Sequence, residues 1–147
     1  MAGLYLHIPF CKTKCAYCDF FSIASLQRKE KMVKAICSEI DLQKNYLDNE
    51  PIETIYFGGG TPSVLTIQEL QLILLQIKKY HSLKSDAEIT LEANPDDLDY
   101  EYLKNLRKIG VNRLSIGVQS FIDEYLILMK RRHNAKKAIE VISDAQK

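Results

Sequence analysis

Leu4-Tyr5-Leu6-His7-Ile8-Pro9-Phe10-Cys11-Lys12-Thr13-Lys14-Cys15-Ala16-Tyr17-Cys18 joins a short strand to the loop it feeds. Leu4 to Ile8 is a strand-like apolar run stopped by Pro9. Three cysteines then follow within eight residues, spaced C-x3-C-x2-C. A loop that leaves a strand in this way sits at the C-terminal rim of a sheet, where barrel active sites lie. The fold therefore depends on whether that strand opens a series of strand–helix units.

It does. Met32, Val33, Ile36, Cys37 and Ile40 recur at helical spacing after the cysteine loop. Glu53 to Phe57 reads as a second strand, stopped by Gly58, Gly59 and Gly60. Thr66 and Glu69 form a capping-box pattern ahead of Leu70, Ile73, Leu74 and Ile77. Glu88 to Ala93 reads as a third strand, closed by Asn94 and Pro95. Asp99 caps a helix with Leu103, Leu106 and Ile109 on its buried face, and Gly110 suits the left-handed position that ends it. Arg113 to Val118 is a fourth strand, and Asn134 caps a last helix with Ala138, Ile139 and Ile142 facing inward.

Such alternation predicts an α/β fold, a parallel sheet with helical crossovers. Its four strand–helix units, in 147 residues, are about half of an eight-unit barrel, which typically needs about 250 residues. No repeat, low-complexity segment or linker divides the chain, and it stops inside or just after a helix. The expectation is one truncated domain over residues 1–147, with a last strand free to pair with another copy.

Composition narrows the function. Net charge is +1, which gives no clustered cationic surface for nucleic acid. No apolar run reaches the length of a membrane span. Met1 to Phe10 lacks the basic start and cleavable apolar stretch of a signal peptide. Of four cysteines, Cys37 stands alone on the apolar face of its helix and reads as packing. The other three read as metal ligands in a cytoplasmic protein, where thiols stay reduced.

Thiolates are soft ligands suited to zinc and to iron–sulfur clusters. A structural zinc site usually closes with four ligands, whereas only Cys11, Cys15 and Cys18 lie together here. A [4Fe–4S] cube held by three thiolates keeps one iron free to chelate a substrate. The spacing is the signature of the radical S-adenosylmethionine (SAM) superfamily. In that superfamily the amine and carboxylate of SAM bind the free iron, and an electron from the cluster breaks the sulfonium bond.

Further stretches narrow the likeness: Tyr5-Leu-His-Ile-Pro-Phe-Cys11, Phe57-Gly-Gly-Gly-Thr-Pro-Ser63, Glu92-Ala-Asn-Pro95, Ile116-Gly-Val-Gln-Ser-Phe121 and Arg131-Arg-His133. In this order, across about residues 4 to 140, they resemble the group containing oxygen-independent coproporphyrinogen III oxidase and the heme chaperone HemW. The resemblance implies the N-terminal half, about four βα units, of a radical SAM partial TIM barrel. It implies SAM contacts from Tyr5, Tyr17, Gly58, Gly59, Gly60, Thr61, Glu92, Gln119 and Arg131.

Each residue also has a plainer reading. A glycine run is often only a turn, a strand tyrosine is usually packing, and most polar residues are simply exposed. Phe10, Phe20 and Phe21 are expected to keep a cluster dry. His7 reads as a rim residue bonded to backbone rather than as a ligand, and His133 likewise. Lys130 and Arg132 read as solvated, and Lys130 stands where the family usually has glycine before the arginine.

Within the group, the oxidase carries another cysteine two residues after its third ligand and a long N-terminal extension. Here Phe20 occupies that position, and only ten residues precede Cys11. The resemblance therefore implies a heme chaperone, with heme or porphyrin, an electron donor and heme-accepting proteins as partners. Its heme site would lie mainly outside this segment. The alternative is the oxidase, a decarboxylating enzyme, and residues 1–147 alone are expected to be inactive. A third reading is a cluster-binding fold acting on some other molecule.

Overall fold

The computed structural model describes residues 2–147. Four parallel strands, β1 (Ala2–Ile8), β2 (Ile52–Gly59), β3 (Leu83–Ala93) and β4 (Arg113–Ile116), lie side by side in chain order. Helices α1 (Lys29–Leu42), α2 (Ile67–Tyr80) and α3 (Tyr100–Ile109) connect them, and α4 (Asp123–Leu128) and α5 (Ala135–Ala145) follow β4. This is the expected α/β order. The register aligns His7 with Gly58, Phe57 with Leu91, and Glu92 with Ser115.

Period-two alternation sends Leu6, Ile8, Ile55, Phe57, Ile89, Leu91 and Ala93 to the helix-covered face. There they meet Val33 and Ile36 of α1, Leu70, Ile73, Leu74 and Ile77 of α2, and Leu103 and Leu106 of α3. The opposite face carries Tyr5, His7, Tyr56, Glu88, Thr90, Glu92, Arg113 and Ser115. Parallel sheets are ordinarily covered on both faces with apolar side chains. This second face is polar and internally hydrogen-bonded instead: the Tyr56 hydroxyl donates to Glu92 at 2.7 Å and the Thr90 hydroxyl to Glu88 at 2.8 Å.

The expected caps are present. Thr66 accepts from the Glu69 amide at 3.2 Å while Glu69 accepts from the Thr66 amide at 2.7 Å. Asp99 caps α3 through Tyr102 N–H, and Asn134 caps α5 through Lys137 N–H. Glu69 also accepts from Lys29 at 2.6 Å, tying α2 to the start of α1. Burial pushes the Glu69 carboxyl up, but the bonds from Lys29 and Thr66 outweigh it and leave it below its ordinary range.

Several elements differ from the sequence reading; β2 begins at Ile52 and runs on through Gly58 and Gly59, beyond the stop read at the glycines. β3 begins at Leu83, which pairs with Ile52; residues 84–86 lie at a register shift before Glu88 pairs with Thr54, and their polar run carries no apolar alternation to announce the strand. β4 ends at Ile116: Gly117 N–H still donates to the Ala93 carbonyl of β3 at 2.9 Å, but Val118 N–H turns back to the Ile116 carbonyl at 2.9 Å. In α5, Ile139 is 58% exposed and Val141 is buried in its stead. The inward line runs through Ala138 and Val141, and Ile139 stands about 100° round the helix from the first and about 160° from the second. The one-and-a-half-turn α4 was not anticipated, being too short to show a period.

Gly110 ends α3 at φ 108°, and a Cβ added there would meet nothing nearer than Ile89 Cδ1 at 3.7 Å. Gly110→Ala therefore isolates backbone strain from packing. It is expected to cost about 1 kcal/mol, read as a lower midpoint in urea; an unchanged midpoint would show that the strained φ is not retained.

Candidate functional site

Parallel register brings the C-terminal ends of all four strands to one rim. From β1 the chain enters the cysteine loop through Pro9 and Phe10. Ile23 N–H donates back to the Pro9 carbonyl at 2.7 Å, and Cys11 N–H to the Ile23 carbonyl at 3.0 Å. These bonds close residues 9–23 into an anchored loop. Lys12, between the first two cysteines, pairs with the almost fully buried Asp97 beyond β3. Asp97 also accepts from the Ser63 hydroxyl at 2.9 Å.

The glycines at the end of β2, Gly58 and Gly59, and Gly60 just beyond it each have a separate steric reason. A Cβ on Gly60 would lie 2.9 Å from the Phe10 carbonyl oxygen and 3.1 Å from Cys11 Sγ. Gly59 has φ 110° and lies under the His7 ring, 2.7 Å from where its Cβ would stand. Gly58 makes room for the rings of Tyr5 and Tyr56, at 2.8 and 2.9 Å from such a Cβ. Thr61 is buried and donates its hydroxyl to Cys11 Sγ at 3.2 Å.

Glu92 leaves β3 with both oxygens engaged, Oε1 by the Tyr56 hydroxyl and Oε2 by Gly59 N–H at 3.1 Å. The bond to Glu92, aided by burial, pushes the Tyr56 hydroxyl above its ordinary pKa. Arg131 reaches in from beyond α4. Its guanidinium donates to Cys15 Sγ at 3.4 Å, the Tyr17 hydroxyl at 3.3 Å, Asn94 Oδ1 at 2.8 Å and the Gly117 carbonyl at 2.6 Å. Burial raises the Tyr17 hydroxyl, and Arg131 opposes that shift.

One cavity of about 300 Å³ gathers Cys11, Cys15, Cys18, Tyr17, Gly59, Gly60, Thr61, Glu92, Gln119 and Arg131. Tyr5 and Gly58 do not line it. Tyr5 is 60% exposed on the open sheet face, stacked on Tyr56 with ring centroids 6.1 Å apart. It is one ring removed from Glu92.

Other expectations need correction. Phe20 and Phe21 are each 72% exposed, so only Phe10 is buried beside Cys11. Phe20 borders the cavity mouth, and Phe21 leans on His7. His7 bonds the Tyr5 hydroxyl through Nδ1 at 3.0 Å rather than backbone. Arg132 pairs with Asp96 at 3.1 Å instead of being merely solvated. His133 does bond backbone, Nε2 to the Val118 carbonyl at 3.0 Å; burial lowers its pKa. Cys37 is half-buried against the core, and burial pushes its thiol up.

Sequence reasoning missed Asn94, Tyr56, Ser63, Lys12 and Asp97. Asn94 lay within a quoted motif; nothing in the sequence singles out the pairing of Lys12 with Asp97, 85 residues apart.

All four cysteines are free thiols. Among the described residues, no three His, Cys, Asp or Glu side chains converge closely enough to grip a single metal ion. A cube of iron and sulfur spaces its thiolates more widely than one ion does. Three thiols border one mouth and two of them receive O–H or N–H donors, a soft donor set that suits an iron–sulfur cluster. No helix of the described residues is long and apolar enough to cross a membrane.

A family model described as the radical SAM superfamily matches residues 5–147. The heme chaperone HemW of Synechocystis sp. is 40% identical over 139 residues, covering 90% of this chain and 33% of that protein. HemW of Escherichia coli is 39% identical over 138 residues, covering 92% of this chain and 36% of its own length. Among solved structures, coproporphyrinogen III oxidase (HemN) from Escherichia coli, described as a radical SAM enzyme, superposes with a TM-score of 0.92 at 29% identity. That match covers 98% of this chain and 34% of the oxidase. The chain thus spans only 33% to 36% of these relatives.

The cysteines differ in exposure, with Cys11 buried and Cys15 and Cys18 partly exposed. In the reduced, metal-free chain Cys15 and Cys18 should alkylate about tenfold faster than Cys11, since access governs thiol reactivity. Gly60→Ala should lift the Cys11 rate by pushing the loop away. Equal rates for the three thiols in the unmodified chain would contradict this geometry; mass spectrometry of timed iodoacetamide labelling gives the rates.

Proposed function

This chain belongs to the radical SAM superfamily, and on that premise we propose that residues 1–147 are part of its core domain, holding a [4Fe–4S] cluster and SAM. Cys11, Cys15 and Cys18 are the cluster ligands in this reading. The observation that carries it is the convergence of these three thiols and four strand ends on one cavity. The hydroxyl of Thr61 and the guanidinium of Arg131 each aim a donor at a cysteine sulfur, at Cys11 and Cys15 respectively, the kind of outer hydrogen bond that orients a metal ligand. When bound, the cluster supplies the electron that cleaves the sulfonium bond of SAM.

The chain's own residues bind and orient. Gly59, Gly60 and Thr61 would take the methionine end of SAM, where missing side chains expose backbone. Glu92, fixed at both oxygens, presents a carboxylate to an amine or ribose. Gln119 and Arg131 would receive the ribose or carboxylate. Tyr17 stands beside Arg131 at the mouth for the adenine side. Tyr5 would act from the second face through Tyr56 and Glu92, and Gly58 by giving that tyrosine pair its space.

For the whole protein we propose a HemW-like heme chaperone of the cytoplasm. It would bind heme mainly through residues outside this segment, take electrons from a donor protein and pass heme to acceptors. Phe20, where the oxidase has cysteine, supports this reading, as do the relatives' names. The likeness to coproporphyrinogen III oxidase keeps oxidative decarboxylation of coproporphyrinogen as the second reading.

Cys15→Ser should abolish the visible absorbance of the reconstituted cluster while the far-ultraviolet helical signal stays; an unchanged cluster spectrum would remove Cys15 from the ligand set. The functional test uses the full-length parent, reconstituted with iron and sulfide without oxygen, with the reduced cluster followed by EPR. Given SAM, a reductant and coproporphyrinogen III, the chaperone reading expects a SAM-dependent change in the EPR signal, no protoporphyrinogen, and heme binding on titration. Porphyrin product would establish the oxidase instead.

A further inference from the structure

We propose that His133 is a positioning residue that holds Gln119 at the cavity by bonding the carbonyl of the turn on which Gln119 sits. Gln119 has φ 64°, in the left-handed region that side chains other than glycine rarely adopt. The Ser120 amide donates to the Val118 carbonyl at 2.8 Å. Gln119 is thus the central residue of a γ-turn with positive φ, the rare and strained form. Such a conformation persists only where its surroundings fix it.

Two side chains from the segment after α4 do this. Arg131 donates to the Gly117 carbonyl just before the turn, and His133 to the Val118 carbonyl, the turn's own acceptor. A carbonyl only accepts, so Nε2 carries the imidazole proton. His133 is 6% exposed and is itself immobilised. The next residue, Asn134, caps α5, and Ala135 N–H donates to Asp123 Oδ1 at 2.7 Å. Its second nitrogen, Nδ1, has no hydrogen-bond partner and stands 4.0 Å from Asp96 Oδ1. The bond to Val118 is therefore the polar contact by which this buried ring acts. Without it the strained turn keeps, among the described residues, only the Arg131 bond to the Gly117 carbonyl that precedes it, and the Gln119 amide is free to leave the cavity it lines.

The inference rests on the reading of Gln119 as a SAM contact, and the test separates the two. In the full-length, cluster-loaded protein, SAM affinity is measured by anaerobic calorimetry. Backbone exchange over residues 116–121 is followed by hydrogen–deuterium mass spectrometry. His133→Leu should weaken SAM binding about tenfold, the equivalent of one lost hydrogen bond, and speed exchange in that stretch. His133→Gln, which keeps an amide donor, should restore much of both. If His133 acts through Gln119, adding His133→Leu to Gln119→Ala should weaken SAM binding no further. Additive losses, or unchanged exchange over 116–121 in a folded His133→Leu protein, would overturn the proposal. If Gln119→Ala alone leaves SAM affinity unchanged while His133→Leu still speeds exchange, the SAM reading of Gln119 fails and the clamp stands.

Discussion

The close approach of Gly60 to Cys11 is the contact on which the site is built. Parallel pairing delivers the end of β2 directly beside the end of β1, with Ile8 opposite Gly59. The backbone after β2 therefore runs against the first cysteine with no space for a Cβ. Gly60 N–H donates to the Ile8 carbonyl at 2.9 Å, extending the ladder by one bond into the loop. Thr61 then faces Cys11 Sγ from the buried side. Any residue with a side chain at position 60 must separate the two loops and so part the thiol from its hydroxyl donor.

The open sheet face follows a different physical rule from the covered one. On the covered face, burial of apolar surface is the dominant favourable term. On the open face, stability depends on polar groups satisfying each other. Tyr5 stacks on Tyr56, Tyr56 donates to Glu92, and Glu92 accepts from Gly59. That chain of contacts runs across three strands and ends at the cavity. Tyr5 and Gly58 do not line the cavity; they pack against Tyr56, the tyrosine whose hydroxyl bonds Glu92.

The sequence was most legible where periodicity and end signals agreed. Thr66 with Glu69, Asp99 and Asn134 each name a cap by residue type alone, and Gly110 names a left-handed stop. Three thiols in eight residues named the candidate site. What was illegible has a common cause, which is that it depends on residues brought together only by the fold. Lys12 and Asp97 pair across 85 positions. Phe20 and Phe21 look like core in a list of residues, yet their loop turns them outward. Ile139 and Val141 are both apolar, and only the phase of the helix decides which is buried. α4 is shorter than two turns, so no pattern could announce it.

The segment from Met129 to His133 shows how a site on an open sheet is kept in shape. The Met129 carbonyl accepts from Ala16 N–H at 3.3 Å within the cysteine loop. Arg131 bonds Cys15, Tyr17, Asn94 and Gly117; Arg132 pairs with Asp96; His133 bonds Val118. Four of these five residues thereby touch the loops after β1, β3 and β4, while Thr61 and Gly60 hold the loop after β2 to Cys11. The strands give these loops a common rim but do not fix their distances, because strand hydrogen bonds stop at the rim. That last step is made by side chains of a short segment with no strand or long helix of its own. The same arginine that reaches Cys15 also grips the backbone before Gln119. The cysteine side and the Gln119 side of the cavity are therefore set by one element, and a shift of that element moves both together.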